Sequence, residues 1–516
     1  MSHSERYQTS ALIFQIWLLW LACSYIPKER PRSQSRQENP FVFPVAFIGI
    51  LMSALLWLTH RNGIAFPVTS FGWEYGNTAA SLASGQGFAN PFTLDTGPTA
   101  WVPPVSVSIF ALAFTIFGIK TPSSAICLLA LKVLGLSWAV YNLAWAGRKI
   151  HSTSSSQWLI CLFGFALLGQ NAWLSRELMD QWIYILFFTL VIRAQIQLVK
   201  GEVRWWHLLL SFLLPLTTPP LALGFILVTC LRKADWRSKF QVLGPLFLAL
   251  ALWSLRNYCV FGALIPSKSN ISYELYQANV LAQDGYLDSQ VLSRTHPHGG
   301  DTENYQLVRE LGELEFCREF QARFWEFART HPKELLKNLQ SRASAAFWCI
   351  RPLAKHYPAK LSLHTDDMEL LSQKLYISGL SGYQQQYKWN ITAIPLSKAY
   401  SLLSELDFQE PERVYLSLSL AHRELNDVLK SKSQVLWGIC YAFVPFLFLL
   451  IGLYRLGWKD LIFRDAVLLY IVFLTPYVLI SHADRYQTCT LAIQVWIIWL
   501  VLCGPPRLEG DLKKCD

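Results

Sequence analysis

An all-α polytopic membrane protein is the fold the sequence predicts, and three observations predict it. Of 516 residues, 53% are hydrophobic and only 16% are charged. The apolar residues come in blocks separated by short charged turns. Bilayer hydrocarbon forces every backbone group of such a block to be satisfied within a helix. Trp and Tyr gather at block ends, as in WLLW, AWLSRELMDQW and VRWWH, where interfacial aromatic belts sit. Blocks of bilayer length number about 10–11, with a largely helical outer-face segment between them.

Each element follows in chain order. Residues 11–26 read as an uncleaved, rather short span, because Trp20 stands three before Cys23 and the preceding stretch is barely basic. With the linker PKERPRSQSRQENP they make up 1–40. Lys28, Arg30, Arg32 and Arg36 precede the block 41–59, so the positive-inside bias runs that span from cytoplasm outward. Residues 60–121 then form a first outer loop. Within it 104–118, headed by Pro103-Pro104 and closed by Gly118, is short for a crossing and is expected to be interfacial or re-entrant. Span 122–146 returns to Arg148 and Lys149, 157–172 goes out, and 181–198 returns to Lys200 and Arg204. Thr217-Thr218-Pro219-Pro220 splits the next run into two short helices that meet at the outer face and finish at Arg232, Lys233, Arg237 and Lys239. Span 241–256 completes a transmembrane core of 41–256.

Residues 257–432 carry far more charge and are expected outside. There Phe316, Phe320, Phe324 and Phe327 recur at helical spacing, and His331-Pro332 ends that helix. Packing accounts for the stripe; a lipid or ligand surface is the alternative reading. Spans 433–454, 465–481 and 487–503, with Arg455, Lys459 and Arg464 inside and a basic cytoplasmic tail, make up 433–516. Every strongly basic turn falls on one side. The net charge of +10 is thereby explained without nucleic acid. The eleven Cys show no CxxC pairing, and many lie within apolar blocks as small hydrophobes. The chain has no Walker loop, nucleophile elbow, dinucleotide fingerprint or sustained coiled-coil pattern.

The same topology collects four polar groups on the outer face: the Glu74 loop, the turn holding Arg176, Glu177 and Asp180, the stretch LRNYCVFGALIPSKSN, and His482-Ala483-Asp484-Arg485-Tyr486. Glu74 heads the predicted short helix YGNTAASLASGQGF, which Gly85 and Gly87 stop. A carboxylate at that surface can take a proton from a hydroxyl or ligate a divalent metal; a solvated acid favoured by the helix dipole is the plainer reading. Arg176, Arg256 and Arg485 each stand at the outer end of a span. Singly they read as snorkelling anchors, and together they offer bidentate pairing to a lipid-borne phosphate. In THPHGGDTENY, His296 and His298 stand near Asp301 and Glu303 and could bind metal, with an ordinary turn as the alternative. Asn270-Ile271-Ser272 and Asn390-Ile391-Thr392 fit a glycosylation sequon that matters only in a eukaryote.

The order of an outer loop with an acid, ASLASGQGFANPF, GPTAWVPPVS and IFG resembles the first outer loop of GT-C glycosyltransferases. The likeness is nearest to bacterial relatives of the dolichyl-phosphate-mannose protein mannosyltransferase and aminoarabinose transferase group. It extends through LWSLRNYCVFGALIPSKSNISYELYQAN, THPHGGDTENY, LGELEF, FARTHP and SHADRYQ, and covers most of 41–350 and 433–503. The resemblance implies a GT-C-like helical bundle in the bacterial inner membrane. It implies an enzyme that takes a sugar from a polyprenyl-phosphate carrier and passes it to a protein, lipid or glycan acceptor on the periplasmic or exterior face. It makes Glu74 the general base or part of a metal site; His296 and His298, read from their own spacing, are the further candidate ligands for a divalent Mg²⁺ or Mn²⁺. Where the family often has an Asp or an acid pair, this chain has one Glu between Trp73 and Tyr75. Glu177 and Asp180 map loosely to a second acid. Arg176, Arg256 and Arg485, with Tyr75 and Asn270, map to binding of the donor. A lipid-carrier flippase and a non-catalytic scaffold of the same build are the other expectations. Residues 352–432 carry no resemblance.

Overall fold

Helices begin and end where the sequence supplies caps. The computed structural model describes residues 71–92, 96–151, 158–160, 162–164, 167, 178, 180–233, 235–282, 285, 287, 292, 295–298, 302–347, 443–481 and 485–505. All of these belong to one compact unit drawn from 1–348 and 441–516. The expected spans 11–26 and 41–59, most of 157–172, and the segment 352–432 lie outside the described residues.

Helix α1 (Trp73–Ala83) follows Gly72, whose φ of 74° turns the chain into it. Helix α2 (Pro104–Phe117) has Pro at its first position and stops at Gly118. Its 14 residues match the expected short apolar helix. Thr121 caps α3 (Pro122–Ile150) by accepting from the Ser124 N–H at 3.2 Å, and Arg148 and Lys149 complement the dipole in its last turn. Helix α4 covers Gln181–Val199. The Thr217-Pro219 break separates α5 (Trp205–Thr217) from α6 (Pro219–Cys230), as the prolines predict. Asp235 caps α7 (Trp236–Phe261), and Gly262 ends it in the left-handed conformation.

The outer segment supplies α8 (Ile271–Tyr276), which runs into a π turn at Gln277–Leu281. Next come α9 (Glu303–Thr330), kinked at Gly312, and α10 (Pro332–Phe347), with His331 between them. The last elements are α11 (Val444–Arg455), α12 (Leu461–Leu479), α13 (Arg485–Cys489) and α14 (Leu491–Cys503). The expected continuous span 487–503 is therefore two helices broken at Thr490. That hydroxyl bonds back to the Gln487 carbonyl at 2.8 Å, a local alternative to helix continuation. Among the described residues no strand forms beyond one isolated antiparallel bridge between Ala89 and Pro98.

Four helices, α3, α4, α7 and α12, are long and apolar enough to cross a membrane, and α2, α5, α6, α11 and α14 are shorter apolar helices. The bundle core gathers Phe188, Phe473, Trp496 and Trp499 from α4, α12 and α14. Where α3 meets α4, a Cβ at Gly135 would stand 2.6 Å from the Trp182 ring, so only glycine permits this approach. On α7, by contrast, just 22% of the apolar window is buried, leaving Phe247, Leu248, Leu252 and Leu255 at least half exposed. Each such side chain would cost about 1.5–3 kcal/mol to keep in water, so the surface suits hydrocarbon.

A second, smaller core lies at the α1 end. Phe71, Tyr75, Trp101, Phe110 and Phe114 pack there with Tyr273, Phe316 and Phe320. The phenylalanine stripe is thus packing for Phe316, Phe320 and Phe324, all buried, while Phe327 stacks on His331. This core carries the polar groups of the candidate site. Because α3 is 29 residues long, its N-terminal end beside α1 lies about 44 Å from its basic end.

Candidate active site

The described part of the first outer loop is closed by its own polar residues. Asn90 and Gly97 exchange two hydrogen bonds of 2.8 and 2.9 Å, and Thr99 N–H donates to the Phe88 carbonyl at 3.1 Å. Asn77 donates to the carbonyls of Pro91 and Phe92, while Lys120 Nζ donates to Asn77 Oδ1 at 2.6 Å. A fully buried carboxylate, Glu313 on α9, joins this loop to the outer segment. It accepts from the Thr99 hydroxyl, from the Ala100 N–H at 2.7 Å and from the Ser269 hydroxyl at 2.7 Å. Burial pushes its carboxyl above the usual range, against the pull of these donors and of Arg256.

Glu74, in the first turn of α1, reaches over the aromatic wall. Its Oε1 accepts from Trp101 Nε1 at 3.1 Å and lies 3.2 Å from His296 Nε2. The tautomer of His296 follows from its other nitrogen. Nδ1 accepts from the His298 backbone N–H at 3.3 Å and lies 3.1 Å from His298 Nδ1, so in the neutral ring the proton sits on Nε2, facing Glu74. His298 is pushed down to about 4, first by burial and then by His296, and stays neutral at physiological pH. Glu74, His296 and His298 thus form one hydrogen-bonded chain. The loop beneath is pinned at Thr295, whose carbonyl accepts from Tyr273 at 2.5 Å and from Asn304 at 2.6 Å.

A second acidic group stands beside the first. Asp180, buried just before α4, hydrogen-bonds the hydroxyl of Tyr75, which also meets the Tyr184 hydroxyl. Burial, then the Asp180 charge, raises Tyr75 well above its ordinary value, so it remains a neutral phenol. Glu274 on α8 accepts from Asn270 Nδ2 at 2.6 Å and from Ser481 Oγ at 2.8 Å, with Lys268 Nζ at 3.7 Å. Tyr477, stacked on Tyr486 at 3.8 Å between centroids, feels the charges of both Asp180 and Glu274.

The structure therefore brings together Glu74, Tyr75, Asp180, His296 and His298, and places Asn270 on Glu274. Arg256 is built into the wall. Its Nη1 donates to the Thr99 carbonyl at 2.8 Å, its Nη2 to the Phe88 carbonyl at 3.1 Å, and the guanidinium lies over the rings of Phe88 and Trp253. Arg485 opens α13, with its side chain outside the described residues, as are Arg176 and Glu177. Sequence reasoning did not single out Trp101, Glu274 or Glu313. Glu313 carried a signal: it stands three residues before Phe316 and seven before Phe320, on the face of the buried stripe.

The donor set does not suit Mg²⁺ or Mn²⁺, hard ions that take mostly oxygen ligands. It offers one carboxylate and two imidazoles, and the nitrogens of His296 already face His298 and Glu74. Among the described residues no group of three or more His, Cys, Asp and Glu is arranged to hold a metal.

No family model, curated protein or solved structure matches the chain. The GT-C resemblance rests on its motifs alone. The site's own geometry offers a half-buried carboxylate flanked by an indole N–H and an imidazole, a second imidazole on the first, and a neighbouring phenol and acid pair at one end of an apolar bundle.

Proposed function

We propose that the protein is a multi-pass membrane glycosyltransferase of GT-C type, with about 10–11 spans, that moves a sugar from a polyprenyl-phosphate carrier to an acceptor hydroxyl at the Glu74 pole. The observation that carries the reading is the Glu74–His296 contact of 3.2 Å. It joins two motifs far apart in sequence, both within the stretches that the resemblance covers. In this reading the pole faces outward from a bacterial inner membrane, a sidedness that the positive-inside bias of the basic turns supports.

In this reading the acceptor hydroxyl oxygen bonds to the anomeric carbon as the bond from that carbon to the phosphate oxygen breaks. Configuration inverts, the hydroxyl proton passes to Glu74, and polyprenyl phosphate leaves with the bonding electrons. Trp101 and His296 fix the carboxylate plane, and His298 fixes the ring of His296. A positioned base of this kind contributes about 10²–10⁴-fold. Arg176 and Arg485 are the proposed partners of the carrier phosphate. Glu274, Asn270 and Tyr75 line the acidic side, where sugar hydroxyls find acceptors.

Native mass spectrometry of the purified full chain, beside Arg485→Ala and Arg176→Ala, tests the carrier site. A co-purifying polyprenyl phosphate or its glycoside, lost in either variant, is the expected result. Only bulk phospholipid in all three preparations overturns the assignment.

One observation favours a second reading, a flippase for the same carrier. Lys132 is buried within α3 and Arg193 lies within α4, and ionisable groups inside spans mark transport paths. A flippase moves the carrier across vesicles with its sugar still attached; a transferase releases the bare phosphate.

A further inference from the structure

The opposite end of the bundle carries a polar pocket of another kind. It is lined by Lys149 at the end of α3, Arg193 and Lys200 on and just beyond α4, and Glu202 and Arg204 in the turn to α5, with Trp145 as a wall. Among the described residues its lining holds four cations and one carboxylate, Glu202, which pairs with Arg204 at 2.7 Å. Arg193 is the deepest of the four. Its guanidinium lies 4.6 Å from the Trp145 ring centroid and within 6 Å of those of Tyr141 and Trp206. Its Nη1 donates to Asn142 Oδ1 at 3.1 Å. The floor is fixed by Gln197 and His207, paired at 3.0 Å.

Snorkelling alone accounts for a lysine at a helix end, where the ammonium reaches water. It does not account for Arg193, about two turns inside a 19-residue apolar helix and held in an aromatic cage. A guanidinium held in this way keeps its N–H donors in one fixed plane, the geometry that pairs with phosphate oxygens along the guanidinium edge. Lys149, Lys200 and Arg204 line the same pocket at the helix ends, and basic pockets between spans near a membrane surface take anionic headgroups.

We propose that this pocket binds an anionic phosphate, with Arg193 as the buried anchor and Lys149, Lys200 and Arg204 as the rim. The site is separate from the Glu74 pole and stands or falls independently of the transfer reading. The phosphate belongs either to a lipid headgroup of the adjacent leaflet or to a soluble phosphate compound.

The test is lipid titration of the purified full chain in mild detergent, read by native mass spectrometry, with phosphatidylglycerol against the zwitterionic phosphatidylcholine. Wild type is expected to retain phosphatidylglycerol preferentially. Loss of one charge-assisted contact should weaken retention about tenfold in Arg193→Gln. The exposed double variant Lys200→Gln/Arg204→Gln, which leaves the cage intact, should show the same loss even if Arg193→Gln folds poorly. Lys459→Gln, an exposed lysine outside the pocket, should match wild type. A second arm adds inorganic phosphate. Displacement of the lipid, or direct phosphate binding with the same dependence on these variants, assigns the site to soluble phosphate; lipid retained against it assigns the site to the headgroup. Equal retention of the two lipids with no phosphate binding, or pocket variants that behave like Lys459→Gln, overturns the proposal.

Discussion

The two poles of the bundle satisfy their charges in opposite ways. At the Glu74 pole the carboxylates of Glu74, Glu274 and Glu313 rest mainly on neutral donors: an indole, an imidazole, hydroxyls, an amide and a backbone N–H. At the basic pole the charges meet opposite charges or aromatic faces. Arg232 pairs with Asp465 at 2.7 Å, with the two side chains 8% and 3% exposed, and Arg464 adds a contact of 3.0 Å. A guanidinium favours the charged carboxylate by its own charge, whereas neutral donors act through hydrogen bonding alone. The difference separates a pole built for chemistry from one built for anchoring and anion binding, and it can be broken from either side.

Asp465→Ala should have the largest effect on stability. Removing one partner of a buried pair costs about 3–5 kcal/mol, so the thermal midpoint in detergent should fall sharply while turnover per folded molecule is kept. A loss of turnover without loss of stability would merge the two poles. Trp101→Phe reverses the pattern. It keeps an aromatic ring of smaller volume and deletes the N–H donor to Glu74, a bond to charge worth about 1.5–3 kcal/mol. The expected result is turnover per folded molecule about ten- to hundredfold slower, with some fall in midpoint from the cavity left in the core; a purely structural Trp101 would lower the midpoint and leave turnover per folded molecule unchanged.

A smaller, pH-dependent effect follows from His298. Its folded value of about 4 lies below the ordinary 6.5, so the unfolded chain takes the proton first as pH falls. The stability associated with neutral His298 is complete above pH 6.5 and is lost as pH falls from 6.5 towards 4. The thermal midpoint should decline through that window in wild type and decline less in His298→Gln. The smallest effect is expected of Ser481→Ala. It removes one of the donors to Glu274 and should cost about 1 kcal/mol or less, because Asn270 and Lys268 remain. A tight dependence of turnover on Ser481 would make Glu274 rather than Glu74 the centre of the pole.

Helix ends were legible because their causes are local. Pro104, Thr121-Pro122, the Thr217-Pro220 run and Gly262 mark boundaries by sterics and capping that no distant residue modifies. The break at Thr490 was not legible, since the short stretch 487–489 before it and LAIQVWIIWL after it read as one span. Glu74, Asp180, His296 and His298 were legible as polar groups of one membrane side, but their contacts were not. Whether His296 faces Glu74 depends on how α8 and α9 pack on α1, and on which imidazole nitrogen the His298 backbone occupies. Arg256 shows the converse limit. A guanidinium at a span end looks the same in sequence whether it awaits a phosphate or, as here, staples the carbonyls of Phe88 and Thr99.

The most direct test is carried out on the purified full chain and its Glu74→Gln variant, each incubated with a polyprenyl-phosphate-linked sugar pool and an acceptor-bearing envelope extract. Release of bare polyprenyl phosphate is followed by liquid chromatography and mass spectrometry. The account predicts release by wild type and a loss of about 10²–10⁴-fold in a folded Glu74→Gln protein. Equal release by both proteins, or none by wild type while the glycosylated carrier is moved intact across vesicles, would contradict it.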